Sequence, residues 1–195
     1  YLINSECTKI GIPNGVRMDI MESSSDSMRI FLYMYDCLQN KCHGTKYSQR
    51  FVFHCISNEQ KRYHDHIVLR QQHLEKILSD KFGSDIVNHY TYCLHGDGDI
   101  QEPVAQGAVA LAGHFGLGKL IMYYDANDAQ ISGKVSRSDS VNYAVLFDGL
   151  GWNVQEIDGH DHSAMHFAIE TAKVMDKPSI IIGNTVMAKG SSTME

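Results

Sequence analysis

The stretch YTYCLHGDGDIQEPVAQGAVALAGHFGLGKLIMYYDAN, residues 90–127, decides the fold. Its opening run, Tyr90 to Leu94, is apolar and aromatic enough for a buried strand. Gly96-Asp97-Gly98 follows, and a helix opens at Pro103, where a missing N–H costs nothing. Ala105, Gly107, Ala108, Ala110 and Ala112 make this helix thin, so it can pack close to its neighbours before ending near Gly116. Leu120 to Tyr124 reads as the next strand, closed by Asp125-Ala-Asn127. Strand, helix and strand in that order predict two parallel neighbours joined by a crossover.

Toward the C-terminus the alternation continues. A helix is expected around Val141 to Phe147 and a strand around Trp152 to Ile157, then a helix from about His162 to Val174 and a strand from Ser179 to Val186. The fold class is therefore α/β, a parallel sheet flanked by helices. Toward the N-terminus the signals thin out. Met28 to Leu38 fits a buried helix or a strand, Phe51 to Ile56 a short strand, and Gln71 to Phe82 an amphipathic helix. Ser23 to Ser27 suggests an exposed turn, and the charge- and histidine-rich stretch from Lys61 to His73 is the candidate mobile connection. The chain divides on this reading into a divergent segment, 1–74, and a regular α/β part, 75–195.

With 195 residues, 43% apolar and 21% charged, the chain can bury the core of one globular domain. A formal charge of −6 supplies no broad basic surface, which weighs against nucleic acid and anionic membranes as partners. No stretch approaches the roughly 20 apolar residues of a membrane span, and no signal-peptide order opens the sequence, so the cytoplasm is the expected location. The 5 cysteines are odd in number and suggest reduced thiols. Cys37, Cys42, His43 and Cys55 fit zinc-ribbon spacing poorly.

In an open parallel sheet, ligands gather beyond the carboxyl ends of the strands. Asp97 and Asn127 each follow a strand directly, and the helix between them brings both to one rim. A carboxylate and an amide oxygen suit a hard divalent cation, Mg²⁺ or Ca²⁺, which keeps further positions for water, carbonyls and phosphate. Gly96 and Gly98 would let the backbone approach a diphosphate and would tolerate positive φ. The plainer reading of Gly-Asp-Gly alone is a strand-ending turn. His160 and His162 fit helix capping or surface positions better than catalysis, and His95 draws interest only by adjoining the Gly-Asp-Gly turn.

Gly96-Asp97-Gly98 followed by Asn127 matches the thiamine-diphosphate signature, and GHFGLGKLIMYYDAND (113–128), IDGHD (157–161) and DKPSIIIGNT (176–185) resemble transketolase in particular. The resemblance covers about residues 75–195, the diphosphate-binding domain of that family. It implies thiamine diphosphate as cofactor, with Asp97, Asn127 and the backbone carbonyl of Ala129 as metal ligands and Gly96 and Gly98 against the diphosphate. Glu102 matches an acidic position that joins a carboxylate network between the subunits of a dimer. A helix-N-terminal carboxylate favoured by the macrodipole is compatible with that role.

Upstream the resemblance lapses. Phe53 to Ser57 stands where the family has a serine-glycine-histidine-glycine motif, and the glycine-rich loop before the helix of residues 71–82 is absent. The glutamate that activates the aminopyrimidine belongs to a second domain. The resemblance thus implies an enzyme of ketol transfer between sugar phosphates only when a pyrimidine-binding partner completes it, as a homodimer or with a complementary chain. The alternative is a non-catalytic remnant that at most pairs with a complete subunit. A third reading is another thiamine-diphosphate class, such as a deoxyxylulose-phosphate synthase or a dehydrogenase subunit, against which GLGKLI (116–121) argues.

Overall fold

The computed structural model describes residues 18–20, 53–55, 61–130, 133–187 and 189–190. Strands β1 (Met18–Ile20) and β2 (Phe53–Cys55) precede helix α1 (Lys61–Phe82). Then come β3 (Thr91–Gly96), the short α2 (Asp97–Ile100), α3 (Pro103–Phe115), β4 (Leu120–Ala126) and a two-stranded antiparallel ribbon, β5 (Ala129–Gln130) with β6 (Gly133–Lys134). Helix α4 (Tyr143–Gly149), β7 (Asn153–Asp158), α5 (His162–Lys173) and β8 (Ser179–Asn184) complete the order.

Six strands form one sheet in the order β1-β2-β3-β4-β8-β7, every neighbour parallel. The expected α/β architecture is therefore present. The centre of the sheet is apolar on both faces, as helix-covered parallel strands require: all of Leu120 to Asp125 and Ser179 to Gly183 is buried. Trp152, fully buried, donates its indole N–H to the Val109 carbonyl at 2.9 Å and meets the Phe147 ring edge to face at 5.0 Å. That contact clamps α3 and α4 to one side of the sheet. Helix α3 ends on Gly116, whose left-handed φ of 57° lets its N–H reach back to the last turn.

Local chemistry moves several boundaries. Helix α4 begins at Tyr143 rather than Val141, because the Asn142 side chain caps it, accepting from the Val145 N–H at 3.1 Å. Strand β8 stops at Asn184 rather than Val186, where the Thr185 N–H turns to the Ala126 carbonyl at 3.1 Å. The stretch from Lys61 to His73, expected to be a mobile connection, lies inside α1. No glycine or proline interrupts residues 61–82, and Leu69, Gln72 and Glu75, three apart, are all buried on one face. The helix runs through residue 74 without a break. Strand β1 had no counterpart in the sequence reading, while β2 falls within the expected strand of residues 51–56. Met28 to Leu38, Ser23 to Ser27, and the Cys37, Cys42 and His43 positions lie outside the described residues.

Candidate functional site

Strands β3 and β4 lie side by side with Gly96 opposite Asp125, so the residues just beyond them meet at the carboxyl rim. Gly96 is extended, φ −106°, and the Gly-Asp-Gly segment opens the short helix α2 instead of a turn. The Asp99 carboxylate reaches back to accept from the Gly96 N–H at 3.0 Å, which stabilises this one-turn helix. Neither Gly96 nor Gly98 has a positive φ, so backbone freedom is not what glycine supplies here. A Cβ at Gly96 would meet only Asp99 Oδ2, at 3.6 Å, leaving room beside the backbone.

Asp97 points into the rim and is only 4% exposed. Its Oδ1 accepts from the Tyr124 hydroxyl at 2.5 Å; its Oδ2 accepts from the backbone N–H groups of Asn127 at 3.2 Å and Ala129 at 3.3 Å. Asp128 makes the last contact possible. Its left-handed φ of 56°, which aspartate tolerates better than most residues, turns the chain so that the Ala129 N–H faces back toward the rim. Burial, followed by the hydrogen bond to Asp97, pushes the Tyr124 hydroxyl far above its ordinary range, so it stays a donor.

The Asn127 amide is held at both ends. Its Oδ1 accepts from the Ala129 N–H at 3.0 Å, and its Nδ2 donates to Asp125 Oδ2 at 3.1 Å. Asp125, itself buried, takes the Thr185 hydroxyl on Oδ1 at 2.5 Å. The Tyr143 ring stands edge to face on Tyr124 at 5.7 Å and donates its hydroxyl to Asp139 at 2.6 Å. That hydrogen bond holds the Asp139 carboxyl below the usual range, while burial raises Tyr143.

The structure thus brings Gly96, Asp97, Asn127 and Ala129 together, and Gly98 follows one residue on. Glu102 stands apart as the N-cap of α3, half-buried, with no side-chain capping bond. His160 and His162 do not cap α5; Asp161 does, accepting from the N–H groups of Ser163 and Ala164. His162 is exposed, and His160 accepts from the Val186 N–H at 2.9 Å. His95 is buried and lies 2.8 Å from the Cys93 sulfur. Sequence reasoning missed Tyr124, Asp125 and Thr185. Their only signal was position, at the ends of the strands that end at this rim.

The arrangement offers a carboxylate and an amide oxygen, and Ala129 turns its N–H toward both. Such a set fits a hard divalent cation and is unsuited to soft metals. A buried carboxylate is costly without a positive partner, yet Asp97's partners among the described residues are all neutral donors. A cation would complement that carboxylate.

The chain is also similar to known proteins. Residues 67–195 match the family model described as the transketolase thiamine diphosphate binding domain. A transketolase from Sinorhizobium medicae is 40% identical over 121 residues, covering 62% of this chain and 17% of the relative. Transketolase 1 of Escherichia coli is 42% identical over 122 residues, 60% of this chain and 18% of that protein. A crystal structure of transketolase from Campylobacter jejuni superposes with a TM-score of 0.64 at 37% identity, over 66% of this chain and 20% of that one. The chain therefore spans about a fifth of the length of these proteins.

Proposed function

Because the chain belongs to the transketolase thiamine diphosphate-binding domain family, we propose that its carboxyl rim binds thiamine diphosphate through a divalent metal, Mg²⁺ or Ca²⁺. The observation that carries this reading is Asp97, a buried carboxylate surrounded by neutral donors. Asp97 and the Asn127 oxygen would hold the metal, with the Ala129 carbonyl as a third ligand. The space beside Gly96 would admit the diphosphate, with Gly98 next to it.

When bound, thiamine diphosphate supplies a nucleophilic carbon at its thiazolium ring, the chemistry of ketol transfer between sugar phosphates. This chain's residues would contribute anchoring: they would fix the diphosphate beside the buried central strands of the sheet. The pyrimidine end would be received by a second domain, so catalysis would require a partner subunit or a complementary chain. Glu102, half-buried at the start of α3, would join the carboxylate network between subunits of a dimer. A cytoplasmic setting agrees with the buried Cys93 standing as a thiol rather than in a disulfide. Among the described residues no helix is long and apolar enough to cross a membrane.

Calorimetric titration of the chain with thiamine diphosphate and Mg²⁺ tests the reading. Saturable binding that disappears without metal, and in Asp97→Ala, is the expected result. A folded chain that binds no cofactor would make this a remnant whose only role is pairing, readable as dimerisation indifferent to cofactor.

A further inference from the structure

The two candidate side-chain ligands are each fixed by a residue of β4, and the fixing of Asn127 has a direction. Asp125 accepts the Thr185 hydroxyl on one carboxylate oxygen and the Asn127 Nδ2 on the other. An ionised carboxylate has only acceptors to offer, so the amide must turn its NH₂ toward it. On the opposite side stands the Ala129 N–H, a donor, which requires the amide oxygen. Both neighbours impose the same orientation; the flipped amide would set oxygen against carboxylate and NH₂ against N–H. Thr185 is tied in turn to β4, because its backbone N–H donates to the Ala126 carbonyl at 3.1 Å.

We propose that Asp125, held by Thr185, is a positioning residue that fixes the Asn127 amide so that its oxygen, not its nitrogen, faces the cation. The inference rests on the metal-site reading above and adds residues that would not touch the metal. It gives a role to the buried carboxylate that stands two residues before Asn127. It also makes Thr185, just beyond β8, part of a site otherwise built around the ends of β3 and β4.

A polarity swap provides the test. In Asp125→Asn the side chain can no longer accept on both oxygens, and Asn127 loses its fixed direction. Metal affinity, read by the electron paramagnetic resonance of Mn²⁺ and by calorimetry with Mg²⁺ and thiamine diphosphate, should fall about 10-fold or more, the usual effect of removing an outer partner of a metal ligand. The double variant Asp125→Asn/Asn127→Asp exchanges donor and acceptor at constant charge: Asn at 125 donates, and the carboxylate at 127 keeps an oxygen toward the metal. It should recover most of the loss and bind better than Asn127→Asp alone, in which two carboxylates oppose each other; a purely structural role for Asp125 would not produce that order. Thr185→Val, a milder change should Asp125→Asn fail to fold, should weaken binding severalfold, and Thr185→Ser should not.

Unchanged affinity in folded Asp125→Asn and Thr185→Val, or a swap no better than the single variant, would overturn the positioning role. Metal-dependent binding that survives Asp97→Ala would instead sink the underlying site reading. A wild-type chain with no metal-dependent binding would overturn both.

Discussion

Two buried carboxylates sit at opposite ends of the same part of the sheet, and the chain treats them differently. Glu75, on α1, is 2% exposed and faces the residue that precedes β4: Lys119 Nζ lies 2.7 Å from its Oε1, and Gln72 donates to its Oε2 at 2.9 Å. Asp97, just beyond β3, has Tyr124 and two backbone N–H groups, all neutral. At the amino end the chain provides the counter-charge itself; at the carboxyl end it provides neutral donors, and on the proposed reading the charge is left to a ligand. A cleft of about 280 Å³ beside Glu75 is lined by Lys76, Lys119 and Lys173 together with Asp80 and Asp176. Its charges are balanced from within.

The largest expected effect breaks the amino-end pair. Lys119→Met strands Glu75 in the interior and should cost about 3 kcal/mol in urea denaturation, the low end for breaking a buried pair, because Lys119 is 28% exposed. Adding Glu75→Gln should restore most of it. A loss below about 0.5 kcal/mol would mean water already solvates Glu75, and the contrast with Asp97 would fail.

Next in size is the response to ligand. Mg²⁺ with thiamine diphosphate at about 100 times the dissociation constant should stabilise the chain by about 2.7 kcal/mol, seen as a raised melting temperature. Asp97→Ala should abolish that increment. Lys119→Met should keep it while melting lower throughout, since its defect lies at the other end of the strands. An increment lost in both variants would show that the two ends are not independent.

Smaller again is Tyr124→Phe. It removes one hydrogen bond to a buried carboxylate and should lower stability by about 1.5 kcal/mol in urea denaturation, with weaker metal-dependent binding alongside. Loss of stability with binding intact would leave Tyr124 a purely structural donor.

The contrast between the two ends was only half legible in the sequence. Asp97 and Asn127 could be found because strand-end positions are fixed by local patterning: apolar runs mark the strands, Pro103 marks the helix start, and the spacing between them forces one rim. Glu75 and Lys119 could not, because they are 44 residues apart and pair only when α1 packs against the start of β4. The same limit hid Thr185, which reaches Asp125 across 60 residues. Charge density misled at Lys61 to His73, where polar residues on a helix were read as a loose connection; the burial of Gln72 and Glu75 on an otherwise polar helix has no periodic apolar signature to betray it.

Tyr123 and Tyr124 offer the finest version of the comparison, since two adjacent tyrosines on β4 are both buried and their hydroxyls have opposite fates. Successive side chains of a strand point to opposite faces. Tyr124 therefore reaches Asp97, while Tyr123 lies over Gly183 of β8, where a Cβ would collide with its ring and hydroxyl. The Tyr123 hydroxyl has no hydrogen-bond partner among the described residues, and burial, then Asp125 and Asp158, push it well above its ordinary range. Removing a buried polar group that satisfies nothing leaves no partner stranded, so Tyr123→Phe should change stability by less than about 0.5 kcal/mol, or raise it slightly. Urea denaturation of Tyr123→Phe beside Tyr124→Phe checks this directly. Equal losses would mean that the Tyr123 hydroxyl is satisfied by a buried water, and that hydrogen bonding, rather than ring volume alone, selects tyrosine at 123.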